Sequence, residues 1–468
     1  MSETTVDKDP VEKLPEQDRE ALYPSSAYAW YCVFILMGIY LNSFLDRQIL
    51  GLLVGPIRAD MQISDTQMGF LMGPSFAIFY IVAGLPLGWL VDRMSRKVLV
   101  AIGQFFWSLA SISFGLGRTY AQLLGARVAV GVGEASLSPS AYSIISDLFP
   151  PKRLALALSV YGMGIYIGGG MANLAGGYVL DFTGTGAVYD LPFVGERKSW
   201  QLVFFLIALP TIPLTALLLS MREPIRRGVG KIVGRDGTMQ AAKVPVAEFF
   251  RYLRSNAKTV LSHNIGFAWL SFAGYGAAAW APTLFIRVHG YEAPFTGKAL
   301  GLMAILIGPP GLFFAGWLAD RLRQRGYRDA RIRVGLIAAV GSLPLAIAYP
   351  WVPNGTLALT LYAVSQFFAA MPWGVAPAAI QEMMPNQMRG QASAVYLFIV
   401  NLLGLALGPY ILAIFTDYVF KDDMMINYSL LVAGLMAHVF AITLLIVCRR
   451  HYVTSLDRLR DWSPEGVV

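Results

Sequence analysis

Charge is what this chain has least of. Asp, Glu, Lys and Arg make up 14% of its 468 residues, where soluble domains carry about 25%. With 56% hydrophobic residues and a mean hydropathy of +0.55, such a chain would not stay in water. Cysteine is nearly absent as well. Cys32 lies in the first apolar stretch and Cys448 ends the last, which excludes a secreted disulfide framework. There are four histidines, and no metal cluster, Walker loop, nucleotide fold or Ser-His-Asp set is recognisable. No enzyme activity, metal or cofactor is therefore expected. The polar, acidic stretch up to about Ser26 lacks the basic region, short apolar core and cleavage site of a secretory signal, so it reads as a tail preceding an uncleaved anchor. The net charge of +8 sits in loops without a basic patch, and no nucleic-acid partner is expected.

What is present is long apolar runs. A spanning helix needs roughly 20 apolar residues, and such segments fall at 28–54, 67–91, 98–117, 120–147, 154–181, 200–221, 259–287, 296–318, 332–350, 356–382, 391–416 and 427–448. Runs of this length argue for helices rather than the alternating segments of an outer-membrane barrel. The 46 glycines and 26 prolines spread through them suit helices packed on helices in lipid. Ser64, Asp65, Thr66 and Gln67 read as a capping box opening the second span. Positive charge gathers after even-numbered spans, at Arg93, Arg96 and Lys97, at Lys152 and Arg153, over 222–258 and 321–333, at Arg389 and in the tail from Arg449. By the positive-inside rule both termini are cytoplasmic, which needs an even span count.

The longest polar stretch, 222–258, holds nine Lys or Arg residues. Val244 to Arg254 alternates apolar and basic at helical spacing, which predicts a helix on the inner membrane surface. The stretch also divides the chain. The expected parts are a tail over 1–27, a bundle over 28–221, a linker over 222–258, a second bundle over 259–448 and a tail over 449–468.

The two bundles resemble each other. Gly88-Trp89-Leu90-Val91-Asp92-Arg93 follows the second span and Gly316-Trp317-Leu318-Ala319-Asp320-Arg321 the eighth, with five of six residues alike. Asp147-Leu148-Phe149-Pro150 after the fourth span is echoed by Glu382-Met383-Met384-Pro385 after the tenth. Parallel repeats place a binding site near the midplane, on the pseudo-twofold axis.

The stretch from Gly88 to Lys97 resembles the signature between helices 2 and 3 of the major facilitator superfamily, and Arg127 to Ala135 resembles its helix-4 signature. Asn42-Ser43-Phe44-Leu45-Asp46-Arg47, with Gly131-Val132-Gly133-Glu134-Ala135-Ser136, is similar to the spinster branch. The resemblance implies an all-α integral membrane protein of the major facilitator fold, with 12 transmembrane helices in two pseudo-symmetric six-helix bundles. It also implies transport of sphingosine-1-phosphate or lysophospholipids. The segment Gly162 to Gly170 lacks the proline of the family's antiporter signature, so antiport is not implied.

Charges inside a membrane are costly and usually pair or face a cavity. Asp46, Arg47, Arg127 and Glu134 are such charges, and they are expected to form one ionic network on the cavity side of the first bundle. An arginine would meet an anionic head group, and Asp46 and Glu134 would carry the coupling proton. Arg127 and Glu134 are seven residues apart and share a face. Tyr40, Phe44, Phe272, Tyr275 and Trp373 complete the expected binding set. The aromatic spans 7 and 10, with no charge at mid-span, suit an apolar tail. Asp92, Arg93, Arg96, Asp147, Asp320, Arg321 and Glu382 sit at inner helix ends and are expected to latch the cytoplasmic side.

The function expected is secondary active transport by alternating access, drawing on a proton gradient, of an amphiphilic lipid-like substrate. A proton-coupled carrier of a small organic anion or drug-like compound is an alternative, and a transporter-like membrane sensor is another. The expected setting is a bacterial inner membrane, with surrounding lipids and no obligate protein partner, the chain acting as a monomer.

Overall fold

Apolar runs separated by short polar loops fold into a nearly all-helical protein, seen in a computed structural model that describes residues 23–91, 93–192, 194–226, 231–233, 239–241, 246–460 and 462. Nine helical stretches among the described residues pass a spanning test on length and hydropathy. They are span 1 (Ser26–Leu52), span 2 (Asp65–Val91), span 3 (Arg96–Leu116), span 6 (Ser199–Ser220), span 8 (Ala293–Gln324), span 9 (Ala330–Trp351), span 10 (Gly355–Glu382), span 11 (Arg389–Phe420) and span 12 (Asp423–Arg460). Span 4 (Tyr120–Glu134 and Leu137–Leu148), span 5 (Pro151–Gly162 and Gly164–Thr183) and span 7 (Ala257–Arg287) complete the twelve. These three are less apolar because they carry charges, many glycines, or Ser, His and Asn.

Local chemistry explains the breaks. Span 2 opens on the expected capping box, with the Ser64 side chain accepting from the Gln67 amide. It bends at Gly73 because the following Pro74 disfavours helical backbone before it. Pro139 removes an N–H just after the break at Ala135 and Ser136 in span 4. Span 11 contains two π-helical turns, Asn401–Ala406 and Phe415–Phe420, the first just before Pro409. Two short hairpins lie in connections: Val188–Leu191 pairs with Gly195–Lys198, and Lys231–Val233 with Met239–Ala241. The amphipathic helix between the bundles is present at Val246–Ser255. It seats on protein, since Phe249 and Tyr252 are buried and the Tyr252 hydroxyl donates to the Met383 carbonyl at 2.8 Å.

The start of span 1, the end of span 12 and the described basic loops share one end of the molecule, the basic end; the other is the far end. At the far end the two bundles share one apolar core, in which Ile49, Leu53, Met68 and Leu71 pack with Trp280, Leu284 and Leu412. A Cβ on Gly73 would lie 2.3 Å from the Ala406 carbonyl oxygen, so spans 2 and 11 touch backbone to backbone there. Toward the basic end the same span parts from its neighbours, and a Cβ on Gly84 or Gly88 would meet nothing within 4 Å. The molecule is closed at the far end and open at the basic end.

Candidate functional site

Span 1 presents Ser43, Asp46 and Arg47 within about one helical turn, facing Glu134 of span 4. The Arg47 guanidinium grips the Glu134 carboxylate, with Nε at 2.7 Å and Nη2 at 2.6 Å from Oε2. The Ser43 hydroxyl donates to the same oxygen at 2.9 Å. Rings surround the guanidinium: Phe44 and Tyr80 at 4.9 Å and Phe76 at 4.7 Å from its carbon. Such cation–π contacts strengthen as water is withdrawn. Close backbone packing builds this wall, since a Cβ on Gly131 would come within 2.5 Å of the Phe76 carbonyl oxygen.

The other two charges do not join that pair directly. Arg127 donates to main-chain carbonyls, Nε to Leu71 and Nη1 to Asp46, each at 3.2 Å. The Asp46 carboxylate accepts a bond from the Ser111 hydroxyl of span 3. All four residues gather in one buried region, yet the expected four-membered ionic network is a single ion pair flanked by two neutral-partnered charges. Sequence spacing placed Arg127 and Glu134 on one face, but Arg47 reaches Glu134 first. Glu134 Oε1 and Arg127 Nη2 have no hydrogen-bond partner among the described atoms.

Between the bundles lies a central cavity of about 100 Å³. Phe44 and Gln48 of span 1, Tyr166 and Asn173 of span 5, Tyr275 of span 7 and Trp373 of span 10 are among its walls. Tyr275 and Trp373 meet edge to face, with centroids 5.8 Å apart. Phe44 stands between this space and Arg47, whose side chain keeps 9% exposure against 0% for Glu134. Two expected lining residues are elsewhere. Tyr40 is buried and stacks on Tyr161 at 4.5 Å, while Phe272 faces a separate cavity inside the second bundle. Gln48, Tyr166, Asn173 and Gln366 line the central cavity and were missed. An amide or hydroxyl in an apolar run was the signal available.

At the far end a set of ion pairs crosses between bundles. Arg287 at the end of span 7 holds Asp65 with two bonds, of 2.5 and 2.7 Å. Arg58 bonds Asp65 at 3.1 Å and Asp423 at 2.7 Å, and Asp417 accepts from the Thr66 amide at 2.6 Å. Lys298 pairs with Asp181, tying span 8 to span 5. No far-end latch was expected from the sequence.

The expected latch at the basic end is arranged differently. Arg96, fully buried, pairs with Asp147, bonds Ser143 at 2.8 Å, and holds Glu223 at 2.8 Å. All four residues belong to the first bundle or its trailing end. In the second bundle Glu382 takes Arg331 at 2.5 Å, Arg323 at 2.6 Å and the Tyr452 hydroxyl at 3.1 Å. Arg96 and Arg331 each stand 51 residues before their carboxylate, so the repeat read in Asp147 and Glu382 is also a structural one. Arg93 is exposed over the Trp89 ring at 3.4 Å; Asp320 and Arg321 are exposed. Asp92 lies outside the described residues. Among the described residues, the Arg96 and Glu382 clusters each tie a bundle to itself in this open-ended state, and the ion pairs they make with Asp147, Glu223, Arg331 and Arg323 stay within one bundle. Partial burial would raise the Glu223 carboxyl, but bonds from Arg96, Ser95 and two main-chain amides hold it below the usual carboxylate range.

Twelve membrane spans in two repeated bundles, a central cavity and a seam closed at one end define a membrane transporter. The family model described as Major Facilitator Superfamily matches residues 36–409, and the chain belongs to that superfamily. It is a carrier, not an enzyme, and it is spinster-like. It is 27% identical over 402 residues to protein spinster homolog 1 of Homo sapiens, covering 82% of this chain and 72% of the relative. It is 26% identical over 400 residues to an MFS-type efflux pump of Mycolicibacterium smegmatis, covering 84% and 86% respectively. Among solved structures, a bacterial homolog of the human lysosomal transporter spinster, in an inward-facing and unoccupied conformation, aligns at 25% identity with a TM-score of 0.72. That alignment covers 94% of this chain and 100% of the homolog.

Proposed function

We propose that the protein is a proton-linked carrier of a lysophospholipid- or sphingoid-phosphate-like amphiphile, working by alternating access. The observation that carries this reading is the buried Arg47–Glu134 pair behind Phe44, opposite an uncharged wall bearing Tyr275 and Trp373. An anionic head group that draws Arg47 into the cavity takes the place of Glu134 in the guanidinium fork. Glu134 then stands as a lone buried charge, which is costly, and takes up a proton while keeping its Ser43 partner. Asp46, whose carboxylate accepts from the Ser111 hydroxyl, is the second proton carrier. The apolar tail lies along spans 7 and 10.

The setting that fits is a bacterial inner membrane with both termini in the cytoplasm, so that the open basic end faces inward. The chain works as a monomer among membrane lipids, and a proton gradient serves in place of a cofactor. A second reading, a carrier of a drug-like compound or small organic anion, is favoured by the efflux-pump relative and by the uncharged polar lining at Gln48, Asn173 and Gln366.

The test is thermal stabilisation of the purified protein by lysolipids, sphingoid phosphates, sugars and organic acids, on wild type, Arg47→Ala and Glu134→Gln. The amphiphile reading expects stabilisation by lysolipids that Arg47→Ala abolishes. Stabilisation by a small anion or drug-like compound, with none from lysolipids, refutes it in favour of the second reading.

A further inference from the structure

The first bundle buries more polar side chains than its ion pair accounts for. Gln104, Ser108 and Ser111 stand at i, i+4 and i+7 and so share one face of span 3. Ser111 reaches Asp46 of span 1, and Ser108 donates to the Ala208 carbonyl of span 6 at 3.4 Å. One turn before Asp46, the Asn42 amide donates to the Thr211 hydroxyl of span 6 at 3.3 Å. Spans 1, 3 and 6 therefore enclose a polar seam inside the bundle, apart from the residues that line the central cavity.

The seam runs to Glu134. A Cβ on Gly133 would lie 2.8 Å from the Trp107 Cβ, and one on Gly103 would lie 2.7 Å from the Gly133 carbonyl oxygen. Spans 3 and 4 thus touch backbone to backbone beside Glu134, which sets Gln104 and Trp107 at its level. Ser111 lies about two turns beyond Gln104, at the level of Asp46.

This seam is short of hydrogen bonds. Gln104 and Trp107 are fully buried and Asn42 is nearly so. Yet both amide atoms of Gln104, Trp107 Nε1 and Asn42 Oδ1 have no hydrogen-bond partner among the described atoms, and neither has Glu134 Oε1. Buried polar groups are almost always paired, and leaving one unpaired is costly. Donors and acceptors are mixed here. Water, which both gives and takes bonds, satisfies such a set.

We infer that the interior of the first bundle holds a short chain of ordered water, anchored by Asn42, Gln104 and Trp107, through which Glu134 and Asp46 pass one proton between them. The inference rests on the proton-linked reading above and adds a route that bypasses the central cavity. As Glu134 Oε1 releases its proton to the first water, the last water gives one to Asp46. One O–H bond breaks at Glu134, one forms at Asp46, and the waters are restored. Arg47 and Arg127, the cations beside the two carboxyls, stay charged throughout. The transfer leaves Glu134 an anion again, ready to take back Arg47 once the substrate leaves. Gln104 touches neither carrier's substrate nor its ion pair and acts as a positioning residue.

The experiment is hydroxyl-radical footprinting of the full chain in nanodiscs, with X-ray pulses generating radicals from isotope-labelled water. A buried tryptophan is labelled only where water stands beside it. Trp280 is the internal control, equally buried but with its Nε1 bonded to the Pro409 carbonyl at 2.8 Å. In wild type Trp107 should be labelled and Trp280 should not. Gln104→Leu keeps the bulk and removes the amide, and should bring Trp107 down to the level of Trp280. Proton-driven flux of lysophosphatidate and of benzoate is then measured in liposomes. Gln104→Leu should lower the maximal rate by about ten-fold or more with KM unchanged, and Gln104→Asn, which restores an amide, should recover part of it. If Trp107 is labelled no more than Trp280 in wild type, or if Gln104→Leu carries flux at the wild-type rate, there is no water relay. Loss of proton dependence in Glu134→Gln would then leave the proton-linked reading standing. If a proton gradient drives neither probe in wild type, or if Glu134→Gln keeps full proton dependence, that reading fails and the relay falls with it.

Discussion

Replacing Arg287 with alanine should open the far end. Arg287 gives Asp65 two bonds, of 2.5 and 2.7 Å, and the Asp65 side chain is fully buried. Removing one partner of a buried ion pair costs about 3–5 kcal/mol, because the remaining charge is stranded. Arg58 stays 3.1 Å from Asp65 and offsets part of that, leaving about 2–3 kcal/mol. The pair crosses between bundles, so the loss falls on the far-end-closed state alone. The balance should then move toward far-end opening by about 30- to 150-fold. Spin labels on exposed positions of the loops after spans 1 and 7 would report it as a longer distance population in Arg287→Ala. Labels at the basic end of the same variant, shifting closer together, would tie the change to alternation rather than unfolding. A far-end distance distribution identical to wild type would refute the latch.

Other expectations are narrower. Glu134→Gln keeps a Ser43 partner but strands the buried Arg47 charge, so proton-driven flux in liposomes should fall at least ten-fold while ligand binding survives; unchanged dependence on the proton gradient would remove Glu134 from coupling. Gly73→Ala places a Cβ 2.3 Å from the Ala406 oxygen and should destabilise this state by about 1–3 kcal/mol through overpacking, whereas Gly84→Ala should leave melting temperature and distances as they are. Glu223 is held below its ordinary value by Arg96 and Ser95, so its contribution is present above the unfolded carboxylate value of about 4.3 and is lost as pH falls through the lower folded value. The stability gap between wild type and Glu223→Gln should therefore stay constant from pH 8 to about 5 and close only in stronger acid, as read by thermal unfolding. A gap that closes near neutral pH would contradict the sign of that shift.

Much of the architecture was legible because apolar runs and loop charges are one-dimensional signals. The buried charges of spans 1 and 4 stood out for the same reason: Asp46, Arg47, Arg127 and Glu134 interrupt apolar sequence. Their partners were less legible. Arg127 turned to main-chain carbonyls and Asp46 to Ser111, and neither a carbonyl nor a serine advertises itself in a sequence. The far-end latch was missed because Asp65 looks like a helix-capping acid and Arg287 like a flanking charge. Their meeting, across 222 residues, exists only once the bundles close on each other. Tyr40 and Phe272 were misplaced because helical phase ranks the faces of one helix without telling which neighbour each face meets.

The two arginine-to-carboxylate ties, each spanning 51 residues, carry a consequence for how the protein can change over time. Because each bundle is braced by its own copy of the tie, its integrity does not depend on the lining of the cavity. A brace present in both bundles leaves the inner walls free to differ. One wall carries Arg47 and Glu134 while the other carries Tyr275 and Trp373, and a substitution in either lining leaves both braces in place.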